Sequence, residues 1–531
     1  MRKQFILFSI ICILLEVGFY FYIPTLLWSL IIITPILLLG YYDIIQKKHA
    51  ITRNFPVLGW GRYLMEILRP KIYQYFVESD IDGRPIGRIF RSLVYQRAKG
   101  DVDTTPFGTQ LDVNANGYEW INHSINAKDV SELDNDLRVL VGGPDCSQKY
   151  DSSIFNISAT SFGSLSKNAI LALNKGAKID NFYHNTGEGG ISPYHLEPGG
   201  DLTWQIGTGY FGCRDNNGKF CKEQFKDNAL IENVKMIEIK LSQGAKPGHG
   251  GILPAKKNTP EIAKIRGVKP YTDIISPPFH TTFHSPIQFM EFIEQLRMLS
   301  NGKPIGFKLC VGKKVEFLAI CKAMISTKIY PDFIVVDGGE GGTGAAPLEY
   351  SNSVGMPSSD GLSFVADCLN GFDLKQYIKI INSGKILTGF HILRNIALGA
   401  DITNSARAMM LALGCIQALE CNKNICPTGI TTQNPELMRG LDVNNKSIRV
   451  AKYHKETVHA VIDLLSATGH TSMNQISRYD INRRINQIDV KRFDEIYPII
   501  HPGSFVKGNL PEQLKIEIDL ADENTFLLKN P

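Results

Sequence analysis

This sequence of 531 residues has little net charge, no regular cysteine spacing and no convincing dinucleotide-binding motif. Its formal net charge is only +5 and is spread along the chain, which argues against a nucleic-acid-binding surface. The ten cysteines follow no disulfide-framework spacing, as is typical of a reducing compartment. No convincing G-x-G-x-x-G element follows a predicted strand, so we expect no nicotinamide site within the chain. With 44% hydrophobic residues, the chain can still bury a large core.

Two long apolar runs stand at the N-terminus. They are Phe5 to Phe21 and Leu26 to Tyr42, separated by a short turn that contains Pro24, and each has about the length of a short bilayer-spanning helix. Glu16 in the first run costs about 3 kcal/mol on insertion scales, whereas the apolar residues of that run return about 4 to 7 kcal/mol. We therefore expect the first run to insert.

Basic residues on both sides of these runs predict their orientation. Arg2 and Lys3 precede the first run and Lys47 and Lys48 follow the second, so the positive-inside rule places both flanks in the cytoplasm. We predict a transmembrane helical hairpin over residues 1–48 in the inner (cytoplasmic) membrane, with the body of the chain facing the cytoplasm. A cleaved signal peptide is the alternative, but no small-x-small cleavage site follows the first run.

From Ile154 onward, short β-rich segments alternate with helical stretches at the spacing of repeated βα units. The candidate strands are Phe155 to Thr160, Phe182 to Asn185, Met236 to Leu241, Asp273 to Ser276, Ile305 to Cys310, Phe333 to Asp337, Ile378 to Asn382 and Asp401 to Asn404. Eight such units predict an α/β fold, a closed (β/α)8 TIM barrel over residues 151–470, rather than an open sheet. Residues 49–150 are predicted to form a small N-terminal collar and residues 471–531 a C-terminal extension.

Polar, glycine-rich loops follow five of the predicted strands. They are Ser161-Phe162-Gly163, Thr186-Gly187-Glu188-Gly189-Gly190, Ser242-Gln243-Gly244, Gly338-Gly339-Glu340-Gly341-Gly342-Thr343-Gly344 and Ser383-Gly384-Lys385. Barrel active sites lie at the C-terminal ends of the strands, and glycine lets backbone N–H groups approach a ligand closely. Any one of these loops could be an ordinary tight turn, but five on one predicted face indicate a ligand site.

Three cysteines lie close together in one segment: Cys415, Cys421 and Cys426, with Pro427 directly after the last. Such spacing favours iron–sulfur ligation over a disulfide or a catalytic cysteine. A zinc site would need a fourth close ligand, and no further Cys or His lies within the segment. Three ligands fit a cluster that lacks one iron, while zinc and structural thiols stay open as alternatives.

Basic residues also follow the last two predicted strands. Ser383-Gly384-Lys385 and Ser405-Ala406-Arg407 stand where barrel enzymes commonly bind a phosphate, and flavin mononucleotide (FMN) is a fitting owner of that phosphate. Ordinary surface charges are the alternative.

Lys308 lies inside an apolar predicted strand and needs a partner, because burying an unpaired ammonium is costly. Either the N1 edge of a flavin or a structural ion pair would supply that partner.

Several of these segments strongly resemble the synthase domain of glutamate synthases. They are Ser161-Phe162-Gly163-Ser164-Leu165-Ser166, Asn185-Thr186-Gly187-Glu188-Gly189-Gly190, Gln243-Gly244-Ala245-Lys246-Pro247-Gly248, Gly341-Gly342-Thr343-Gly344-Ala345, and Gly414-Cys415-Ile416 through Cys426-Pro427-Thr428-Gly429. They occur in order and at matching spacings from about residue 150 to 470. The resemblance is closer to short, stand-alone FMN-binding glutamate synthase family proteins, which also cover the collar and carry an N-terminal hydrophobic anchor.

The resemblance implies a barrel that binds FMN and a [3Fe-4S] cluster and that reductively aminates 2-oxoglutarate to glutamate. It implies that Lys246 and Arg266 hold the carboxylates of 2-oxoglutarate and that Glu188 lines the site of ammonia and imine. The implied cluster ligands are Cys415, Cys421 and Cys426. The implied FMN-binding residues are Ala159, Thr160, Ser161, Gln243, Lys308, Gly342, Thr343, Ser383, Gly384, Lys385, Ser405, Ala406 and Arg407.

The sequence also departs from that family. It starts Met1-Arg2-Lys3 instead of with a nucleophilic cysteine, so we expect ammonia from solution or from a separate glutaminase, and electrons from a separate ferredoxin-like or membrane carrier. His249 and Ile252 stand where family members usually have Glu and Gln. Another oxo acid or amine, as in a methylated-amine glutamate synthase, is therefore an alternative substrate. A membrane-bound electron-transfer subunit is an alternative of another class.

Overall fold

The computed structural model describes residues 1–527, which form two compact units. The first unit runs from Met1 to Arg88, and the second begins at Ile89. This division falls inside residues 49–150, the segment predicted as a collar. Residues 528–531, at the end of the predicted C-terminal extension, lie outside the described residues.

Strands and helices alternate through most of the second unit. The strands are β1 (Glu119–Ile121), β2 (Arg138–Val141), β3 (Tyr150–Ser153), β4 (Phe155–Ile157), β5 (His184–Asn185), β6 (Leu202–Ile206), β7 (Val234–Lys240), β8 (Ile252–Leu253), β9 (Ile274–Ile275), β10 (Ile305–Leu309), β11 (Phe333–Asp337), β12 (Lys379–Ser383), β13 (Ile402–Ser405), β14 (Ile481–Arg484) and β15 (Val490–Arg492).

The helices of the first unit are α1 (Arg2–Tyr22), α2 (Leu30–Ile45), α3 (Ala50–Asn54) and α4 (Gly59–Ile72), with a 3-10 turn at Pro24–Ser29 and a π turn at Tyr73–Val77. The helices from the unit boundary onward are α5 (Arg88–Lys99), α6 (Lys167–Ile179), α7 (Pro193–Leu196), α8 (Lys222–Ala229), α9 (Pro260–Arg266), α10 (Pro286–Leu299), α11 (Lys314–Thr327), α12 (Leu348–Ser353), α13 (Ser358–Gly371), α14 (Gly389–Ala397), α15 (Arg407–Leu413), α16 (Pro435–Met438), α17 (Val443–Ala467), α18 (Phe493–Ile496) and α19 (Lys515–Leu520).

Eight parallel strands close into a barrel, which confirms the predicted TIM barrel. Their order is β4, β5, β6, β7, β10, β11, β12 and β13, and β13 pairs back onto β4. Helices lie between successive strands along the chain, as the alternation of apolar strands with helical segments predicts. Because all eight strands are parallel, their C-terminal ends meet at one end of the barrel.

One predicted barrel strand is wrong. The segment Asp273 to Ser276 contains β9, which pairs antiparallel with β8 in a separate two-stranded sheet. The third barrel strand is β6 instead, and all five of its residues are buried. In β6 the polar Thr203 and Gln205 alternate with apolar residues, so the sequence lacks the continuous apolar run that is typical of a buried parallel strand.

An antiparallel hairpin of β2 and β3 covers the N-terminal end of the barrel. Its Val141 and Tyr150 pack in one buried cluster with Phe333 and Ile402, the first residues of β11 and β13. A ligand therefore has access at the opposite end, where the strands finish.

Asp332 joins this hairpin to the barrel. Its fully buried carboxylate accepts hydrogen bonds from the backbone N–H groups of Gly143 and Ile305, at 2.7 and 2.8 Å. It also forms an ion pair with Arg297 at 3.2 Å. Asp332 thereby satisfies three buried donors from three different segments.

The first unit is built on the helical hairpin of α1 and α2. Arg2–Tyr22 and Pro24–Ile45 are long and apolar enough to cross a membrane, by length and composition. The Ser29 hydroxyl donates a hydrogen bond to the carboxylate of Glu16 at 2.5 Å. The acidic residue that opposes insertion of the first run therefore has a partner within the hairpin.

Replacing Asp332 by Ala is expected to lower the free energy of unfolding by about 3 to 5 kcal/mol, because it leaves two buried N–H groups without their acceptor and removes one of the two carboxylates that pair with the buried Arg297. The melting temperature of the full chain in detergent measures the change. Glu436→Ala is the matched control, since its exposed pair with Arg439 at 3.4 Å contributes at most about 1 kcal/mol. Equal melting temperatures for the two variants would contradict the prediction.

Candidate active site

A pocket lies at the C-terminal ends of the barrel strands. Four of the five predicted glycine-rich loops contribute lining residues, among them Ser161, Glu188, Gln243 and Thr343. The fifth loop, Ser383-Gly384-Lys385, is not among the lining segments. The separate sheet of β8 and β9 also contributes to the lining, through β8. Residues far apart in the sequence thus come together at the end of the barrel where an active site is expected.

An ion pair at the end of β7 was not predicted from the sequence. Lys240 Nζ donates to Glu188 Oε1 at 2.7 Å and to Gln243 Oε1 at 2.8 Å. Burial raises the pKa of Glu188, but the charges of Lys240, Lys246 and Arg266 outweigh this effect and hold that pKa below its ordinary value. Glu188 is therefore ionised at neutral pH. The sequence signal for Lys240 is a lysine near the end of a predicted strand, just before a predicted ligand loop.

Arg266 is the last residue of α9. Thr259 caps the start of this helix, and Gly267 ends it with a left-handed φ of 63°. Arg266 Nη2 donates to the carbonyl oxygen of Phe162 at 3.2 Å, and the guanidinium carbon lies 5.2 Å from the centroid of the Phe211 ring. Its buried Nε has no hydrogen-bond partner within residues 1–527. Burial lowers the pKa of Arg266 to about 10, so the group stays charged and fits an anionic ligand.

Two further lysines reach the same pocket. Lys246 Nζ donates to the carbonyl oxygen of Ala345 at 2.7 Å, and burial together with Lys240 lowers the pKa of Lys246 to about 8. Lys257 Nζ donates to the carbonyl oxygen of Ser164 at 2.7 Å, and burial lowers its pKa to about 8. Lys257 was missed in the sequence, where it stands only as the second of two lysines before α9.

Positive charge dominates this pocket. The lining side chains comprise one carboxylate, Glu188, and five cations: Lys240, Lys246, Lys257, Arg266 and Arg407. The carboxylate is already bound by Lys240, whereas the other four cations donate to backbone carbonyl oxygens. Within residues 1–527 none of those four forms a salt bridge. Such a pocket is suited to a ligand that carries several negative charges.

The residues predicted to bind FMN separate into two groups. Eight of them line the pocket, namely Ala159, Thr160, Ser161, Gln243, Gly342, Thr343, Ala406 and Arg407. The other five, Lys308, Ser383, Gly384, Lys385 and Ser405, are not among its lining residues. At Gly342 a Cβ atom would lie 2.9 Å from Arg407 Cδ, so a side chain at this position would require the Arg407 side chain to shift.

Two hydroxyls of the second group are engaged with protein atoms. Ser383 Oγ lies 3.0 Å from Ser158 Oγ, and the Ser405 hydroxyl donates to the carbonyl oxygen of Ile386 at 2.8 Å. These contacts fix the side chains at the ends of β12 and β13. Contact of the second group with a flavin stays a prediction.

Lys308 forms the structural ion pair that stood as one alternative in the sequence. Its Nζ lies 3.1 Å from Asp337 Oδ2, and both side chains are buried. Burial lowers the pKa of Lys308, but Asp337 and Glu238 raise it more, so the ammonium stays charged inside the barrel. Asp337 also accepts the N–H of Gly244 at 3.0 Å, which ties the loop after β7 to the end of β11. Contact of Lys308 with a flavin stays a prediction.

The three clustered cysteines lie in the long loop between α15 and α16. Cys421 is among the pocket-lining residues. Cys415 Sγ accepts the N–H of Gln417 at 3.4 Å, and Cys426 Sγ lies 3.3 Å from Thr428 Oγ1. Within residues 1–527, no group of three or more His, Cys, Asp or Glu side chains is arranged to hold a metal ion. The iron–sulfur cluster therefore stays a prediction.

The two residues that depart from the resembled family occupy different positions. Ile252 in β8 lines the pocket, whereas His249 is not among the lining residues. The His249 ring lies 2.8 Å from the carbonyl oxygen of Gly250 through Nδ1 and packs edge-on against Tyr350 at 5.2 Å. Of the two departures, Ile252 is the one that changes the chemistry of the pocket wall.

Known proteins similar to this chain cover most of its length. The glutamate synthase large subunit-like protein YerD of Bacillus subtilis (strain 168) is 34% identical over 509 residues, which are 88% of this chain and 96% of YerD. The archaeal glutamate synthase (NADPH) of Methanocaldococcus jannaschii is 33% identical over 361 residues, 68% of this chain and 66% of that protein. The NADPH glutamate synthase large chain of B. subtilis is 34% identical over 291 residues, 54% of this chain and 18% of that protein.

A solved structure of a mandelate oxidase variant matches with a TM-score of 0.42 and 12% identity, over 81% of this chain and 96% of that chain. At the level of families, residues 127–471 match the conserved region in glutamate synthase. That region covers more than half of the chain, and the likeness to YerD extends over nearly the whole of both proteins. The chain belongs to the glutamate synthase family.

Proposed function

We propose that this protein is an FMN-dependent, glutamate synthase-like oxidoreductase that reductively aminates 2-oxoglutarate to glutamate. The observation that carries the proposal is the charge of the pocket, with five cations against one carboxylate. A dicarboxylic oxo acid and the phosphate of a flavin nucleotide would together supply anionic partners for these cations. Membership of the glutamate synthase family supports the same activity.

In this proposal Lys246 and Arg266 bind the two carboxylates of the oxo acid. Arg266 is suited to a carboxylate because a guanidinium can donate two parallel hydrogen bonds. The ionised Glu188, held by Lys240 at 2.7 Å, would accept a hydrogen bond from ammonia and so orient the ammonia lone pair towards the keto carbon. The protein would thus hold the two reactants side by side.

The residues at the strand ends fit FMN. The Ser161 hydroxyl, the backbone around Gly342 and Thr343, and the partly buried cation of Arg407 provide hydrogen-bond donors and positive charge in the pocket lining. When bound there, FMN would supply the hydride-transfer chemistry. The side chains around it exclude water and hold the oxo acid in place.

We further propose that Cys415, Cys421 and Cys426 hold a [3Fe-4S] cluster that receives electrons from a separate donor, a ferredoxin-like protein or a membrane carrier. Support comes from the chemistry of three thiols in one loop, of which Cys421 also lines the pocket. Ammonia would come from solution or from a separate glutaminase.

The α1 and α2 hairpin is proposed to anchor the protein in the inner (cytoplasmic) membrane with the barrel in the cytoplasm. Its apolar length and its basic flanks, Arg2, Lys3, Lys47 and Lys48, favour this arrangement. A donor that moves in the membrane would then meet the protein there.

A second candidate keeps the cofactors and changes the substrate. Ile252 places an aliphatic side chain in the pocket wall, where most members of the resembled family have Gln. An aliphatic wall favours an oxo acid with an apolar group at that point, because it offers no hydrogen bond to a second carboxylate.

Flavin reoxidation tests the two candidates. The full chain, purified and reduced without oxygen, is mixed with ammonium and either 2-oxoglutarate or an apolar oxo acid, and flavin absorbance is followed. Reoxidation by 2-oxoglutarate is expected. Reoxidation by the apolar acid alone would favour the second candidate. Reoxidation by neither acid would favour an electron-transfer subunit.

Arg266→Ala should raise KM for the oxo acid about tenfold or more with flavin retained, because a charge-assisted pair is lost.

The pH dependence of kcat/KM reports on Lys246. Below about pH 8 its ammonium is charged and binds carboxylate, whereas above its pKa of about 8 the charge is lost. We expect kcat/KM for the oxo acid to fall as pH rises through 8. Lys246→Arg should remove this alkaline limb, because arginine keeps its proton. The control Lys257→Arg should retain the limb, and a limb that disappears only in this control would contradict the prediction.

Cys421→Ser is expected to abolish the visible absorbance of the cluster and to lower the iron content, because one of three thiolate ligands is removed. Iron analysis and absorbance of the anaerobic protein measure the effect. Cys221→Ser is the matched control, since Cys221 is likewise partly exposed but lies outside the pocket. Unchanged iron in Cys421→Ser would rule out the assigned ligand.

A further inference from the structure

We propose that α4 and the π turn after it lie in the plane of the membrane surface, as an amphipathic segment that binds a bilayer containing anionic lipid. This inference rests on the proposed anchoring of α1 and α2. It adds a second membrane contact, at the surface instead of across the bilayer, to the first unit of the protein.

Exposed apolar side chains are the first observation. Ten large apolar or aromatic side chains are exposed between residues 58 and 77: Leu58, Trp60, Leu64, Met65, Ile67, Ile72, Tyr73, Tyr75, Phe76 and Val77. Soluble proteins rarely expose a continuous stretch of this kind, and such a stretch marks an interaction surface. The described chain leaves these side chains uncovered.

The second observation is that α4 has two faces. Arg62, Glu66 and Arg69 recur at helical spacing, and Arg62 pairs with Glu66 at 3.0 Å on the helix surface. Trp60 and Leu64 lie on the opposite side by the same helical spacing. A helix with an apolar face, a basic polar face and aromatic residues is typical of segments that lie in a membrane interface.

Hydrogen bonds to the end of α2 set the depth of this segment. The carboxylate of Asp43, in the last turn of α2, accepts the indole N–H of Trp60 at 3.1 Å and the N–H of Val57 at 2.9 Å. Gln46 Nε2 donates to Thr52 Oγ1 at 3.0 Å and orders the intervening turn. If α2 ends at the membrane surface, Trp60 is held at that same level. Tryptophan is enriched at this depth.

The net positive charge of this segment indicates an anionic lipid surface as its partner. Between residues 46 and 77 the sequence has six basic residues, Lys47, Lys48, Arg53, Arg62, Arg69 and Lys71, and one acidic residue, Glu66. Each basic residue near an anionic membrane contributes about 1 kcal/mol of attraction. The combination of exposed apolar side chains and excess positive charge therefore fits an anionic lipid surface better than a neutral one.

Quenching by brominated lipids tests the inference on the full chain. The protein is reconstituted in vesicles of phosphatidylcholine and phosphatidylglycerol brominated either near the headgroup or near the bilayer centre. The emission of Trp60 is obtained as the difference between wild type and Trp60→Phe. We expect quenching of Trp60 by the shallow bromines and none by the deep ones.

Trp28, in the turn between α1 and α2, separates this inference from the anchoring on which it rests. Its emission is obtained in the same way from Trp28→Phe. Quenching of Trp28 without quenching of Trp60 would overturn the interfacial helix and leave the anchor intact. If neither is quenched, both proposals fail.

A double variant tests the role of charge without touching Trp60. Arg62→Gln with Arg69→Gln should reduce the shallow quenching of Trp60 to the level measured in pure phosphatidylcholine vesicles. Arg439→Gln, an exposed arginine in the second unit, is the control and should leave quenching unchanged. Full quenching in the double variant would refute the preference for anionic lipid.

Discussion

The pocket of this barrel depends on an electrostatic imbalance that the protein does not resolve by itself. Lys240 and Glu188 neutralise each other, and the remaining cations then face one another in a largely buried space. Burial disfavours their charged forms, and the pKa values of Lys246 and Arg266 lie below their ordinary values for this reason. Binding of an anion relieves both the repulsion and the desolvation. The free protein therefore carries unfavourable electrostatic energy, and the release of this energy would favour anion binding.

The loops around the pocket could be predicted because their glycines are required by the backbone itself. At Gly244 a Cβ atom would lie 1.7 Å from the carbonyl oxygen of Gly338, so the loops after β7 and β11 can approach this closely only if position 244 carries no side chain. This steric requirement can be recognised in the sequence as glycine in the loops. Seven predicted strands also coincide with barrel strands, and β11 has the clearest pattern among them, since Phe333 to Val336 are all apolar.

Other parts of the site have no recognisable sequence pattern. Strand β6 reads as alternating polar and apolar residues, because Gln205 reaches the pocket and donates to Glu238 inside the barrel. Lys240 and Lys257 are common residues whose meaning comes only from their neighbours in space. The pairing of Lys308 with Asp337 likewise joins two neighbouring strands, β10 and β11. These contacts could not be predicted, because each depends on which side chains meet once the barrel has formed.

The sheet of β8 and β9 has an architectural consequence. These strands pair with each other and stand apart from the hydrogen-bond ladder of the barrel, although β8 forms part of the pocket wall. Substitutions in this sheet therefore remove no hydrogen bond between the eight barrel strands. Sequence changes in this sheet could therefore alter the ligand specificity of the pocket while the barrel is preserved. The two-stranded sheet is also a suitable segment to exchange between homologues.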